Sequence, residues 1–161
     1  MDKIELLASE SEKAYNAEIK RMDRLTDRAD KFIAAVAVVA AVQLTQVENL
    51  DFTGGWIEQI PDWLTLLSLA ILGFAILFAA ASMNLREYYS YPLGEKLLDE
   101  LKGEDVDDDS ARVKVARMYL KWHDTNSKAN DGRARYLTIS GILLIVGFGL
   151  ATVSFLLFKL S

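Results

Sequence analysis

Cysteine is missing from this chain, which removes disulfides, thiolate zinc sites and cysteine nucleophiles together. Histidine occurs once, at His123, so a metal site would have to be built from carboxylates. Charge is missing from three long stretches: Phe32–Val47, Trp63–Leu85 and Tyr136–Phe158 hold no Asp, Glu, Lys, Arg or His. A run of about 20 apolar residues crosses the hydrocarbon of a bilayer, where only a helix satisfies its own backbone. The missing intramembrane charges also weigh against proton relays, ion-coupled transporters and voltage sensors, which need ionisable groups at that depth. Nor is there an inverted repeat or a pair of broken helices of the transporter kind.

What is present fits an all-α polytopic membrane protein. The chain has 161 residues, is 52% hydrophobic and carries a net charge of -5. One membrane domain is expected over 1–161. Its parts are a cytosolic amphipathic helix (1–31), a first span (32–47), an outer loop (48–62), a second span (63–85), a cytosolic helical insert (86–135), a third span (136–158) and an outer tail (159–161). The first 31 residues are too charged for a cleaved signal peptide, so the first span is expected to serve as an uncleaved anchor.

Lys and Arg set the orientation. Seven precede the first span and ten lie between Arg86 and Arg135, whereas the loop Glu48–Asp62 has none and Lys159 stands alone beyond the third span. Positive residues stay cytoplasmic, which places the N-terminus and the insert in the cytosol and the C-terminus outside. Phe52, Trp56 and Trp63 then suit the outer interface, and Tyr88, Tyr89, Tyr91 and Tyr136 the inner one. The first span is short, roughly 24 Å at 1.5 Å per residue against a core of about 30 Å. It carries Gln43, Thr45 and Gln46 toward its outer end.

In the N-terminal segment, Tyr15, Ile19, Met22, Leu25, Ala29 and Phe32 recur at helical spacing. This stripe must cover apolar surface, either in the same subunit or on a neighbouring copy. After the second span, Tyr91-Pro92-Leu93-Gly94 should break the helix; a short helix Glu95–Lys102 and a Gly103 C-cap are expected next. The run Asp105–Asp109 resembles a calcium loop, but Ser110 and Ala116 stand where such a loop needs Gly and Glu. Ser110 is the expected N-cap of a helix from Ala111 onward, with Asp107–Asp109 near its positive end. Gly132 could kink that helix or be crossed without a break.

On the same helix Lys114, Arg117, Lys121, Lys128 and Arg135 fall within about a 60° arc at 100° per residue. Such a basic ridge could hold phosphates of a nucleotide or of lipid headgroups, or be a solvated face balanced by Asp124 and Asp131. His123 beside Asp124 resembles half of a general-base pair but has no nucleophile or second ligand at a meaningful spacing, and no phosphate loop occurs. An enzyme is not expected, nor a cofactor, nor a nucleic-acid polymer as partner.

Small residues that permit close helix approach recur in the spans: Ala37 and Ala41, Ala70 and Gly73, Gly147 and Ala151. Gln43, Gln46, Thr65 and Ser68 cluster toward the outer side. They could line a narrow pathway in a homo-oligomer or hydrogen-bond between helices of one subunit.

The layout carries a resemblance. A cytosolic helix enters the first span through Asp27-Arg28-Ala29-Asp30-Lys31-Phe32, and the last span is introduced by Asn130-Asp131-Gly132-Arg133-Ala134-Arg135-Tyr136. Over nearly its whole length the chain resembles the small transmembrane effectors of bacterial anti-phage systems. These are the Pycsar transmembrane effectors and the related two-span SLATT-type effector domains found beside nucleotide-signalling enzymes. The resemblance implies an inner-membrane location, a cyclic nucleotide signal or cytosolic partner protein, and membrane permeabilisation that arrests the host cell. The chain holds no separate nucleotide-binding domain, so recognition of a signal would fall to the basic ridge. The competing expectation is a non-conducting anchor or accessory subunit of a larger complex.

Overall fold

The computed structural model describes residues 3–47, 50, 52–57, 59–84 and 107–160. The expected break at Tyr91–Gly94, the helix Glu95–Lys102 with its Gly103 cap, and Tyr88, Tyr89 and Tyr91 lie outside the described residues. Three helices make up the described fold: α1 (Lys3–Val47), α2 (Ile60–Asn84) and α3 (Asp108–Leu160). Each is long and apolar enough to cross a membrane by length and composition. The charged segments before the first and third apolar stretches continue into them without a break, and Gly132 is crossed helically.

One helix start differs from expectation. α3 begins at Asp108, because Asp107 and not Ser110 is the cap: the Asp107 carboxylate accepts from the Ser110 N–H at 2.8 Å. An aspartate at that position satisfies an orphan donor and places its charge at the positive helix end. α2 begins at Ile60, three residues before Trp63, since Pro61 is tolerated in a first turn, where an N–H has no partner to lose. Gln59 then ties the preceding loop down, donating from Nε2 to the Phe52 and Gly54 carbonyls.

The chain divides into two compact units. The first comprises Met1–Arg24 and Leu85–Gly132, of which 3–24 and 107–132 are described. Here α1 and α3 run parallel, since Glu5 meets Arg112 and Arg21 meets Asp131. Tyr15 is buried between Tyr119 and Trp122, with ring centroids 5.6 and 6.0 Å away. Asn130, also buried, donates to the Glu18 carbonyl at 3.0 Å and to its carboxylate at 2.8 Å. The stripe headed by Tyr15 thus packs within the subunit.

The second unit comprises Leu25–Asn84 and Arg133–Ser161. All three helices meet in it: Val36 of α1 packs with Leu72 and Ala75 of α2 and, at the edge of the cluster, with Leu143 and Leu144 of α3. A second cluster joins Leu25 and Ala29 to Leu137. α1 and α3 are parallel to each other and antiparallel to α2, so Arg28, Lys31, Arg133 and Arg135 lie toward one end and Lys159 toward the other. Many large apolar side chains face outward, among them Val38, Leu67, Phe74, Leu77, Ile142 and Ile145. An exterior of that kind suits hydrocarbon rather than water.

Burial follows one period in every helix. In α3 it falls on Asn126, Asn130, Arg133, Leu137, Ser140, Gly147, Ala151 and Ser154, steps of four and three with Leu144 completing the row. In α2 it falls on Pro61, Thr65, Ser68, Leu72, Ala75, Ala79 and Ser82. A repeat of 3.5 residues is the seam of left-handed helix packing.

Candidate functional site

The seam between α2 and α3 is a ladder of buried hydroxyls. Ser140 donates to the Ala75 carbonyl and Ser68 to the Gly147 carbonyl, both at 2.8 Å. Thr65 and Ser154 bring their hydroxyls to 2.7 Å of each other, and each also reaches the Pro61 carbonyl. Small residues permit this closeness: a Cβ added at Gly147 would stand 2.8 Å from Leu72 Cδ2. Thr65 and Ser68 are therefore engaged between helices of one subunit.

The ladder ends on Arg133. Its side chain is buried, and it donates from Nε to the Ser82 carbonyl at 2.8 Å and from a terminal nitrogen to the Met83 carbonyl at 3.4 Å. Those carbonyls belong to the last turn of α2, where a helix lacks internal donors and carries partial negative charge. As a sequence feature Arg133 is one more cation before a span. Its place in the 4-3 row with Asn130 and Leu137 is the signal that could have singled it out.

Gln43 and Gln46 lie elsewhere, on the α1 side of an open groove between α1 and α3. The groove has a volume of about 350 Å³ and is walled by Val38, Val42, Phe148, Ala151 and Phe155. A second cavity of about 330 Å³ adjoins it through Gln46 and Phe155 and reaches Phe158 and Lys159. Gln43 is only 2% exposed, yet neither its Oε1 nor its Nε2 finds a hydrogen-bond partner, and Gln46 Oε1 finds none. An unsatisfied buried amide is expensive in an apolar setting.

Of the basic ridge, Lys114, Arg117, Lys121 and Lys128 are exposed on the first unit, and Arg135 is exposed on the second. Lys128 pairs with Asp124 at 2.8 Å, so the acid beside His123 is engaged by its own helix neighbour. Asp131 is taken by Arg21 at 2.6 Å, a contact that with Glu18 holds the Arg21 guanidinium above its ordinary range. The Ser110 hydrogen bond lowers the Asp107 carboxyl below its usual range. Among the described residues no group of three or more His, Asp or Glu could hold a metal ion.

Comparison with protein-family models, curated proteins and solved structures gives no match.

Proposed function

We propose that this chain is a membrane-embedded effector of the bacterial inner membrane that assembles as a homo-oligomer and permeabilises the bilayer on a cytosolic signal. Its N-terminus would be cytosolic and its C-terminus outside, and the response would serve anti-phage defence by arresting the infected cell. The signal would be a cyclic nucleotide or a cytosolic partner protein, met on the first unit, where four cations of the ridge stand exposed.

The observation that carries the reading is the division of the small residues. Gly147 and Ala151 are used inside the subunit, but Ala37 and Ala41 on α1, and Ala70 and Gly73 on α2, face outward. Small residues on a lipid-facing surface let the backbone of another helix approach closely, which is how helices associate in bilayers. With the ladder hydroxyls spent on α2–α3 bonds, association between copies would rest on these faces.

The test is inducible expression in bacteria with a membrane-potential dye, before and during phage infection. Depolarisation is expected, and Ala41→Phe on the outward face should abolish it while folded protein remains. Unchanged potential and growth under both conditions would refute the proposal.

A second reading has its own support. Leu6, Leu7 and Leu120 are exposed on the first unit, an apolar surface that a different protein could cover. Purification in mild detergent separates the two: a stoichiometric foreign partner favours an accessory subunit or anchor, and a homomeric assembly favours the effector.

A further inference from the structure

The groove between α1 and α3 contains what a lipid needs and what an empty apolar slot would not. Its walls are Val38, Val42, Phe148 and Phe155, all with exposed side chains. Buried against those walls is the Gln43 amide with neither polar atom bonded, and Gln46 Oε1 is in the same condition. An alkyl chain alone leaves both glutamines unsatisfied, so the occupant must bring acceptors and donors as well as hydrocarbon. Beyond Gln46 the adjoining cavity ends at Lys159, whose Nζ stands 5.4 Å from the Phe155 ring centroid.

We propose that this groove binds one anionic phospholipid. Its acyl chain lies along Val38, Val42 and Phe148, its ester carbonyls accept from Gln43, a headgroup hydroxyl donates to the glutamine oxygens, and its phosphate meets Lys159. The inference rests on the spans lying in a bilayer; it does not depend on permeabilisation.

Charge agrees with this placement. Lys159 is the one Lys or Arg in the stretches 48–62 and 159–161, where Glu48, Asp51, Glu58 and Asp62 are acidic. A cation at the mouth of an apolar groove localises a phosphate there.

A second copy of the chain fits less well. A symmetric contact through this groove would set two Lys159 side chains against each other. The outward alanines Ala37 and Ala41 also face another side of α1 than Val38 and Val42, consecutive residues being about 100° apart.

The test uses the full chain from membranes, purified in mild detergent and studied by native mass spectrometry in mixed micelles of phosphatidylglycerol and phosphatidylcholine. One phosphatidylglycerol should be retained in preference to phosphatidylcholine. Lys159→Gln, at an exposed site, should reduce that preference about fivefold, one cation's share of headgroup attraction, without abolishing lipid retention. Gln43→Leu should reduce retention of both lipids while helicity stays unchanged. Equal retention of the two lipids by the unaltered chain, or phosphatidylglycerol retention indifferent to both variants, overturns the proposal. So does a disulfide-linked dimer of Gln46→Cys formed in place of lipid retention, which would make a second copy the occupant. Recovery in the membrane fraction is scored separately, so failure of the membrane reading is distinguishable from failure of the groove.

Discussion

Gly147→Ala and Gly73→Ala make the sharpest pair of perturbations. Both glycines lie inside helices in apolar spans, and for both the exchange removes backbone freedom worth about 1 kcal/mol in helix propensity. Their surroundings differ. A Cβ at Gly73 meets nothing within 4 Å, whereas one at Gly147 would lie 2.8 Å from Leu72 Cδ2 and 2.9 Å from its Cγ. Leu72 has no exposed surface and is enclosed by Val36 and Ala75, so it cannot swing aside cheaply. Retreat of α3 instead would stretch the Ser68 hydrogen bond to the Gly147 carbonyl, now 2.8 Å. Overpacking of this kind costs about 1–3 kcal/mol, and the propensity gain cancels between the two variants. The expected result, from reversible unfolding in mixed detergent micelles, is that Gly147→Ala is less stable than Gly73→Ala by about 1–3 kcal/mol. In a Leu72→Ala background, itself less stable by about 2–5 kcal/mol, adding Gly147→Ala should cost little further, because the clash partner is gone. Equal stability of the two glycine variants, or strict additivity in the double variant, would refute the packing of α3 on α2 at this point.

Arg133→Ala should destabilise the second unit by about 1.5–3 kcal/mol, the range for hydrogen bonds from a charged donor, and speed amide exchange in the last turn of α2; Arg135→Ala, at an exposed site, should do neither. A Thr65→Val and Ser154→Ala double-mutant cycle should give a coupling of about 0.6 kcal/mol and no more than roughly 1.7, the span measured for hydrogen bonds within membranes; zero coupling contradicts the 2.7 Å contact. The lowered Asp107 carboxyl means its cap is fully present above the ordinary aspartate range and is lost as pH falls through the depressed folded value. Protection from amide exchange at the start of α3, taken relative to the intrinsic rate at each pH, should therefore fall on acidification below about pH 4 and lose that dependence on Asp107 in Asp107→Ala, which should be frayed throughout.

The three apolar stretches were legible because charge is excluded from them, and the stripe from Tyr15 to Ala29 because Tyr15, Leu25 and Ala29 recur at helical spacing and are buried. Between α2 and α3 of the second unit, hydroxyls share the interior with apolar side chains. Thr65, Ser68, Ser140 and Ser154 are fully buried while Ile145, Leu77 and Phe74 face out. In a lipid surrounding, which is as apolar as leucine, large aliphatic side chains would gain nothing by turning inward, whereas a hydroxyl would still need a partner. Val115, Met118, Tyr119, Trp122 and Ala129 mark an apolar face on the charged part of α3, but none stands out along its uncharged stretch, although the buried row keeps a 4-3 repeat from Asn126 to Ser154. Nor could sequence separate Gly147 from Gly73, or Arg133 from Arg135, since each pair differs only in which side of the helix it occupies.

The buried polar groups determine how tightly each helix is specified. Without a hydrophobic drive between helices, register in lipid comes from close packing and from hydrogen bonds. α2 and α3 have both: Thr65 on Ser154, Ser68 on the Gly147 carbonyl, Ser140 on the Ala75 carbonyl and Arg133 on the end of α2. A shift of one residue would break all four at once. The contacts of α1 with this pair include Val36 against Leu72, Leu25 and Ala29 against Leu137, and Phe32 beneath Gly141. Its one fully enclosed polar side chain in the span, Gln43, is directed to the groove and is bonded to neither neighbour. A shift of α1 would leave that amide no worse bonded, whereas a shift of α2 against α3 would lose four bonds together, which makes the pair α2–α3 the more tightly specified element of the second unit.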